Sequence, residues 1–256
     1  MRALILAAGV GRRLEPFTDD RPKCLMTIAG KSLLVRHLDI LAGFPQLEGL
    51  DIVVGYRHDQ IRDAVAVWQR ESERDFPVRF YMNEAFRKGS ILSLYTGKET
   101  LVSEDTIVMD ADVLYPKELM RRLLESDERS CVLIDEQADM PDEEMVICCR
   151  DDRAMHIARS RHPSTHGEWD EKGEGVGFLK LDHTEAPKLI TIIEEAIAAG
   201  QEDADYEDTI ASFMKVSRCG YERIGDLPWT EIDFSEDLVS AEEEILPAIR
   251  AYEAGK

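Results

Sequence analysis

The chain has 256 residues, and 31 Lys and Arg against 52 Asp and Glu leave a formal charge of −21. A surface this acidic repels nucleic-acid phosphates and anionic lipid, so neither nucleic acid nor a membrane is expected as a partner. With 44% hydrophobic and 32% charged residues, the composition belongs to a folded globular chain rather than a disordered one.

Ala3 to Ala8 is an uninterrupted apolar run, as in a parallel strand covered on both faces, and Gly9-Val10-Gly11 turns the chain at once. The run is too short, and too soon followed by Arg12 and Arg13, for a secretory signal or a membrane span. Helical spacing follows over Ser32 to Phe44, with Ser32 as cap, Leu33, Leu34, His37, Leu38 and Leu41 on one face, and Gly43 and Pro45 as the stop. Leu50 to Gly55 is the next strand, and His58 to Arg70 is helical through Ile61, Val65 and Trp68. Val78 to Met82 is a third strand and Ser90 to Leu101 a helix. Thr106 to Met109 is a fourth strand that runs into Asp110-Ala111-Asp112. This alternation predicts an α/β fold, a mostly parallel open sheet flanked by helices. Ligands bind such sheets beyond the carboxyl ends of the strands, where the glycine loop and the Asp110/Asp112 pair both fall.

After Pro116 the pattern is mixed, with strands over Ser130 to Asp135, Met145 to Cys149 and Gly175 to Leu181, and helices over Lys117 to Glu125 and Thr184 to Ala199. Arg159 to Gly175 is polar and punctuated by glycine, the composition of a lid, and Ser235 to Tyr252 is an acidic helical tail. No repeat, low-complexity tract or linker divides the chain, which predicts a single domain. Cys24, Cys131, Cys148, Cys149 and Cys219 have no disulfide or CxxC spacing, as expected in a reducing cytoplasm. His156, His162 and His166 beside Cys148 and Cys149 have poor spacing for zinc. No Ser-His-Asp or Cys-His arrangement points to a nucleophile.

Gly9 and Gly11 let backbone N–H groups approach a phosphate or a base edge, and Arg12, Arg13 and Lys23 bring positive charge to the same loop. A dinucleotide fingerprint is excluded by Leu14 where its third glycine belongs and by Gly55 where its acidic residue belongs. Gly30-Lys31-Ser32 ends like a P-loop, but Leu25 stands where that loop opens on glycine.

Leu6-Ala7-Ala8-Gly9-Val10-Gly11-Arg12-Arg13-Leu14 with Arg21-Pro22-Lys23-Cys24-Leu25 resembles the signature of nucleotidyltransferases that couple an NTP to a phosphorylated small molecule. The chain is most similar to the CTP:phosphocholine and CTP:2-aminoethylphosphonate cytidylyltransferases. Ser90 to Tyr95, Val108 to Asp112, Gly175 to Phe178, Asp205 to Asp208 and Trp229 to Asp233 support the match along nearly the whole chain. Arg12 departs from it, since the family has a small Ser or Thr there.

The resemblance implies a Rossmann-like nucleotidyltransferase fold in which residues 1–115 bind nucleotide. Residues 116–256 then bind acceptor and complete the metal site, with a lid over about 159–175. It implies transfer of CMP from CTP to a small phosphorylated or phosphonate amine, with Mg²⁺ held by Asp112 and Asp233. Lys23 and Arg13 are then the catalytic cations. Ala7, Ala8, Gly9, Gly11, Arg12, Arg13, Lys23, Asn83, Gly89, Ser90, Ser93 and Asp110 are expected around the nucleotide. Trp169, Tyr206, Glu207, Asp208 and Trp229 are expected around the acceptor, with Glu168 and Glu174 in the lid. Phosphocholine enzymes carry an aromatic residue near the position of Glu144-Met145, and its absence favours a smaller amine. A sugar-1-phosphate nucleotidylyltransferase using another NTP is the alternative enzyme, a non-catalytic nucleotide sensor the alternative of another class, and a homodimer is left open.

Overall fold

The computed structural model describes residues 1–140 and 144–255. It opens with β1 (Arg2–Ala7), a short hairpin of β2 (Thr27–Ile28) and β3 (Lys31–Ser32), and α1 (Leu33–Leu41). Ser32 Oγ accepts the Val35 N–H as the N-cap, and the five residues expected on the inner face of α1 are all buried. Next come β4 (Leu50–Val54), α2 (His58–Ser72) and β5 (Val78–Met82).

The single helix expected over residues 90–101 is instead two, α3 (Ile91–Thr96) and α4 (Lys98–Ser103), meeting at Gly97. The side chain of Leu4 lies against that backbone, and a Cβ on Gly97 would stand 2.5 Å from Leu4 Cδ2. The break lets the chain bend over the sheet without losing contact with it.

The remaining elements are β6 (Thr106–Asp110), β7 (Val113–Leu114), α5 (Lys117–Glu125), β8 (Cys131–Asp135), β9 (Met145–Arg150), β10 (Arg153–Arg159) and β11 (Glu171–Leu181). They are followed by α6 (Ala186–Ala198), α7 (Tyr206–Val216), β12 (Gly220–Arg223), β13 (Thr230–Glu231), α8 (Ser235–Ser240) and α9 (Leu246–Ala254).

Among the described residues nine strands form the main sheet, in the order β10-β9-β11-β6-β1-β4-β5, with β8 beside β11 and β12 beside β8. The strands β6, β1, β4 and β5 run parallel, as their unbroken apolar sequences predict. β11 enters antiparallel to β6 and starts the mixed half. Period-two alternation splits the core between the faces: Ala3, Ile5, Ile52, Val54, Ile107 and Met109 pack on one side, Leu4, Val53 and Val108 on the other. Each fully buried Leu or Ile contributes about 1.5–3 kcal/mol, so both helical layers are held strongly.

Residues 159–175 are not a free lid. Pro163–His166 form a 3₁₀ turn, Thr165 is buried, and Glu171 to Glu174 pair with Val146 to Cys149. Polar side chains on the outer face of a paired strand gave this stretch the composition of a loop. The strands β10 and β12 and the helix α7 were not anticipated either. Among the described residues no helix is long and apolar enough to cross a membrane.

Candidate active site

The carboxyl ends of β1 and β6 lie side by side, with Leu6 opposite Asp110. Beyond β1 the chain passes through Gly11 into 3₁₀ turns at Arg12–Leu14 and Lys23–Leu25. Beyond β6, Val113 and Leu114 pair antiparallel with Glu231 and Thr230, and the Ile232 N–H donates to the Asp112 carbonyl at 3.0 Å. This two-residue ribbon brings Asp112 to Asp233 across more than a hundred residues of chain.

Lys23 Nζ bridges the pair, donating to Asp112 Oδ2 at 2.6 Å and Asp233 Oδ1 at 2.5 Å, while Arg13 Nη2 donates to Asp233 Oδ1 at 2.8 Å. Burial works against the Lys23 charge, but the carboxylates of Asp112, Asp233 and Glu231 outweigh it and hold the pKa above the usual lysine value. Glu231 completes an acidic triad, with oxygens of Asp112, Glu231 and Asp233 all within 4.8 Å of one another. Burial first, then the charges of Asp112 and Asp233, pushes Glu231 well above the usual carboxylate range.

The triad fits a hard divalent cation. Asp112 Oδ1 is shut off from solvent with no hydrogen-bond partner among the described residues. A buried carboxylate oxygen without a donor is costly, and three convergent carboxylates are the donor chemistry that such cations take.

Two of the hollows lined by Asp233 also share Arg13. One, about 280 Å³, is lined by Gly11, Arg12, Arg13 and Lys23. The other, about 110 Å³, is lined by Asp110, Glu144, Tyr206 and Glu207 with Phe178 and Phe234. Burial, followed by the charges of Asp112 and Glu207, pushes Asp110 well up, and the Tyr206 hydroxyl donates to its Oδ2 at 3.0 Å. Burial pushes Glu207 up to about 8. Beside this cavity, Trp229 Nε1 donates to Asp135 Oδ2 at 2.8 Å, and burial with the neighbouring Glu144 pushes Glu174 up to about 8.

β11 reaches this cavity through a register shift between Gly175 and Leu179, with Gly177 at φ 78°. A Cβ on Gly177 would lie 2.3 Å from Asp110 Oδ2, so glycine is what lets the antiparallel strand pass over the buried carboxyl. Gly177→Ala is therefore expected to displace Asp110 and lower kcat/KM about ten-fold or more. The accompanying backbone cost is only about 1–2 kcal/mol, read by steady-state rates beside thermal melts.

The other expected residues divide. Ala7 ends β1, with Ala8 and Gly9 following at the strand ends. The side chains of Asn83 and Ser93 are bonded to each other at 3.0 Å, and Ser90 Oγ accepts the Tyr206 N–H at 2.8 Å, which leaves mainly backbone groups there for a base. The Gly89 N–H donates to the Glu202 carbonyl. Trp169 lies under the Arg150 guanidinium, 4.8 Å from its ring centroid, and lines none of these hollows; Asp208 faces a separate cleft beside Asp203 and Ser212. Both were expected at the acceptor. Trp169 is instead held by its indole N–H on the Ser164 carbonyl, and Asp208 points away because it follows Glu207 in a helix. His156 and His162 both bond the Ser164 hydroxyl, and the Cys24 thiol is buried and pushed up to about 12. Glu231 escaped the sequence reading, although Glu231 and Asp233 at i and i+2 of an extended segment share a face.

Residues 3–169 match the MobA-like NTP transferase domain. The chain belongs to this family. As an NTP transferase it is 26% identical over 143 residues to the CTP:phosphoglutamine cytidylyltransferase of Campylobacter jejuni, covering 53% of each chain. It therefore spans about half the length of that relative. It is 27% identical over 249 residues to the choline-phosphate cytidylyltransferase of Streptococcus pneumoniae, covering 95% of this chain and 97% of the other. Its fold matches the inositol-1-phosphate CTP transferase from T. maritima with a TM-score of 0.77 at 19% identity, over 97% of this chain and 96% of that one. The Rossmann-like nucleotidyltransferase fold expected from sequence is thus present.

Proposed function

We propose that this NTP transferase moves CMP from CTP onto a small phosphorylated or phosphonate amine, releasing pyrophosphate. The carrying observation is the pair of hollows that share Arg13 and Asp233: Arg12 and Lys23 complete a cationic one, while Asp110, Glu144, Tyr206 and Glu207 face Arg159 in the other. A triphosphate suits the first; in the second, Arg13 and Arg159 can meet the acceptor's phosphoryl group, and the buried carboxyls with the Tyr206 hydroxyl offer hydrogen-bond acceptors to its amine, whose charge would favour their ionised forms. The relatives from Campylobacter jejuni and Streptococcus pneumoniae are named as cytidylyltransferases, which supports CTP.

An acceptor oxygen attacks the α-phosphorus in line and pyrophosphate leaves. Lys23 follows the charge on the α-phosphate, and Arg13 with Arg12 holds the β- and γ-phosphates. Backbone groups of Ala7, Ala8, Gly9 and Gly11 read the base, and Gly89, whose N–H and carbonyl are bonded to Glu202 and Leu92, shapes the wall beside it. Mg²⁺ bound by Asp112 and Asp233, with Glu231 adjacent, would draw charge from the phosphate oxygens and let two anions approach. The acceptor phosphate is already ionised near neutral pH, so no residue has to remove a proton, and catalysis is positioning plus electrostatics. Glu207 and Tyr206 flank the amine, with Trp229 and Glu174 farther out. Met145 lines the cavity near where phosphocholine enzymes carry an aromatic ring, which favours a primary amine such as 2-aminoethylphosphonate or phosphoethanolamine over choline.

Pyrophosphate release with CTP, UTP, GTP and dTTP against these acceptors, phosphocholine and glucose-1-phosphate tests the reading. CTP with a primary-amine acceptor is expected to exceed glucose-1-phosphate by about ten-fold or more. Faster turnover of the sugar phosphate with another NTP would replace the reading with sugar nucleotidyl transfer. No release from any pair would leave a nucleotide sensor.

A further inference from the structure

A second concentration of positive charge lies apart from the catalytic hollows and shares no lining residue with them. Between α1 and α9 a cleft of about 310 Å³ carries Arg36 and Arg250 on walls that include Leu114, Leu246 and Ile249. Arg36 Nη2 donates to the Ile28 carbonyl, but its Nε is closed off from solvent and has no partner among the described residues. Arg250 makes no ion pair among the described residues.

The acidic groups of the cleft are already engaged. Asp39 accepts from Lys31 at 2.8 Å and from the Trp68 indole at 2.9 Å, and Glu253 accepts the Lys117 N–H at 3.3 Å. Burial first, then the charge of Arg250, pulls the Arg36 pKa down, and Asp39 offsets this only in part. In a chain with 52 acidic residues, two guanidiniums thus share a half-apolar cleft with no carboxylate bound to either. Like charges so arranged repel unless an anion enters between them.

We propose that this cleft binds a phosphorylated small molecule, its phosphoryl group between Arg36 and Arg250 and its remainder against Leu114, Leu246 and Ile249. The exposed Arg250 fork and the remaining Nη1 of Arg36, whose Nη2 is held by Ile28 and whose Nε is sealed, together supply the charge and donors that a phosphoryl dianion takes. The occupant would touch Leu114 and Tyr115, which directly follow the carboxylate strand end. Leu114 pairs with Thr230 in the ribbon that joins Asp112 to Asp233, and Tyr115 packs edge-on against Phe178 of the acceptor cavity. The proposal stands apart from the identity of nucleotide and acceptor.

The test is titration calorimetry and thermal melting of the full chain with inorganic phosphate and with phenyl phosphate. Phosphate also meets Arg13 and Lys23, so Arg13→Ala and Arg250→Ala separate the two sites. Arg13→Ala should retain the cleft's binding, and Arg250→Ala should weaken it by about ten-fold or more, the effect of losing a charge-assisted pair. Arg250 is exposed, and without ligand its alanine variant is expected to melt no lower than the parent, because a repulsion has been removed. Tighter binding of phenyl phosphate than of inorganic phosphate, seen only where Arg250 is present, would identify an organic phosphate; equal binding at the cleft would identify free phosphate. Identical titrations of parent and Arg250→Ala with both compounds would overturn the proposal, as would an Arg250→Ala variant that melts lower yet binds unchanged.

Discussion

Asp233→Ala is expected to lower kcat/KM for nucleotidyl transfer by about 10³-fold, and Asp112→Ala to do the same. Asp233 receives hydrogen bonds from both Lys23 and Arg13 and lines both hollows, so its loss disturbs nucleotide and acceptor sides together. Lys23 would then pair with Asp112 alone, drawing the mobile cation away from the α-phosphate. The two carboxylates act as one unit, so the double variant should be little worse than either single. Pyrophosphate release by the two single variants and the double variant measures this directly. Losses that multiply, or a loss of only a few fold for either single, would mean that the pair does not work as a common grip on the reaction.

The parallel half of the sheet was readable because each buried strand there is a continuous apolar run ending in a turn, and the Ser32 cap marked the start of α1, which ends at Leu41 rather than at Phe44. The mixed half was harder. In β10, only Ala154 and Ile157 are buried, and the polar residues between them read as loop. The helix α7 begins with Tyr206-Glu207-Asp208, residues read as an acceptor motif, which hid the Ile210, Phe213 and Met214 spacing behind it. Asp112, Asp233, Lys23 and Arg13 lie in contact, and nothing in a linear sequence gives the β7–β13 ribbon that sets their separation. Two residues on each strand are too few to leave a periodic signal. Trp169 misled for the converse reason: an isolated aromatic in a polar stretch looks like a ligand platform, and here it packs under Arg150.

Asp51→Asn is expected to cost about 3–5 kcal/mol of stability and to lower the melting temperature by roughly 10 °C, although Asp51 lines none of the functional hollows. Asp51 sits within the apolar strand β4 with its side chain fully buried. Arg2 donates to Oδ1 at 3.0 and 2.7 Å, Arg79 to Oδ1 at 2.8 Å and to Oδ2 at 2.5 Å, and Thr100 Oγ1 to Oδ2 at 2.5 Å. The register of β1, β4 and β5 sets Asp51 beside Leu4 and Arg79, so the carboxylate ties three parallel strands and α4 together. Neutralising it strands the Arg2 guanidinium, whose side chain is only 9% exposed, without a counter-charge. Burial opposes the Asp51 charge, but the hydrogen bonds from Arg79, Arg2 and Thr100 outweigh it and hold the pKa below the usual 3.8. A depressed folded pKa means that the native state binds fewer protons than the unfolded one. The contribution is therefore complete above about 3.8 and fades as pH falls through the lower folded value. Melts of parent and Asp51→Asn should differ fully near neutral pH and converge in acid below that value. A gap that persists unchanged into strong acid would assign the loss to packing rather than to charge. Replacing Arg2, Asp51 and Arg79 together by apolar residues of similar volume should recover much of the stability, because a buried ion pair costs more to break than to remove whole.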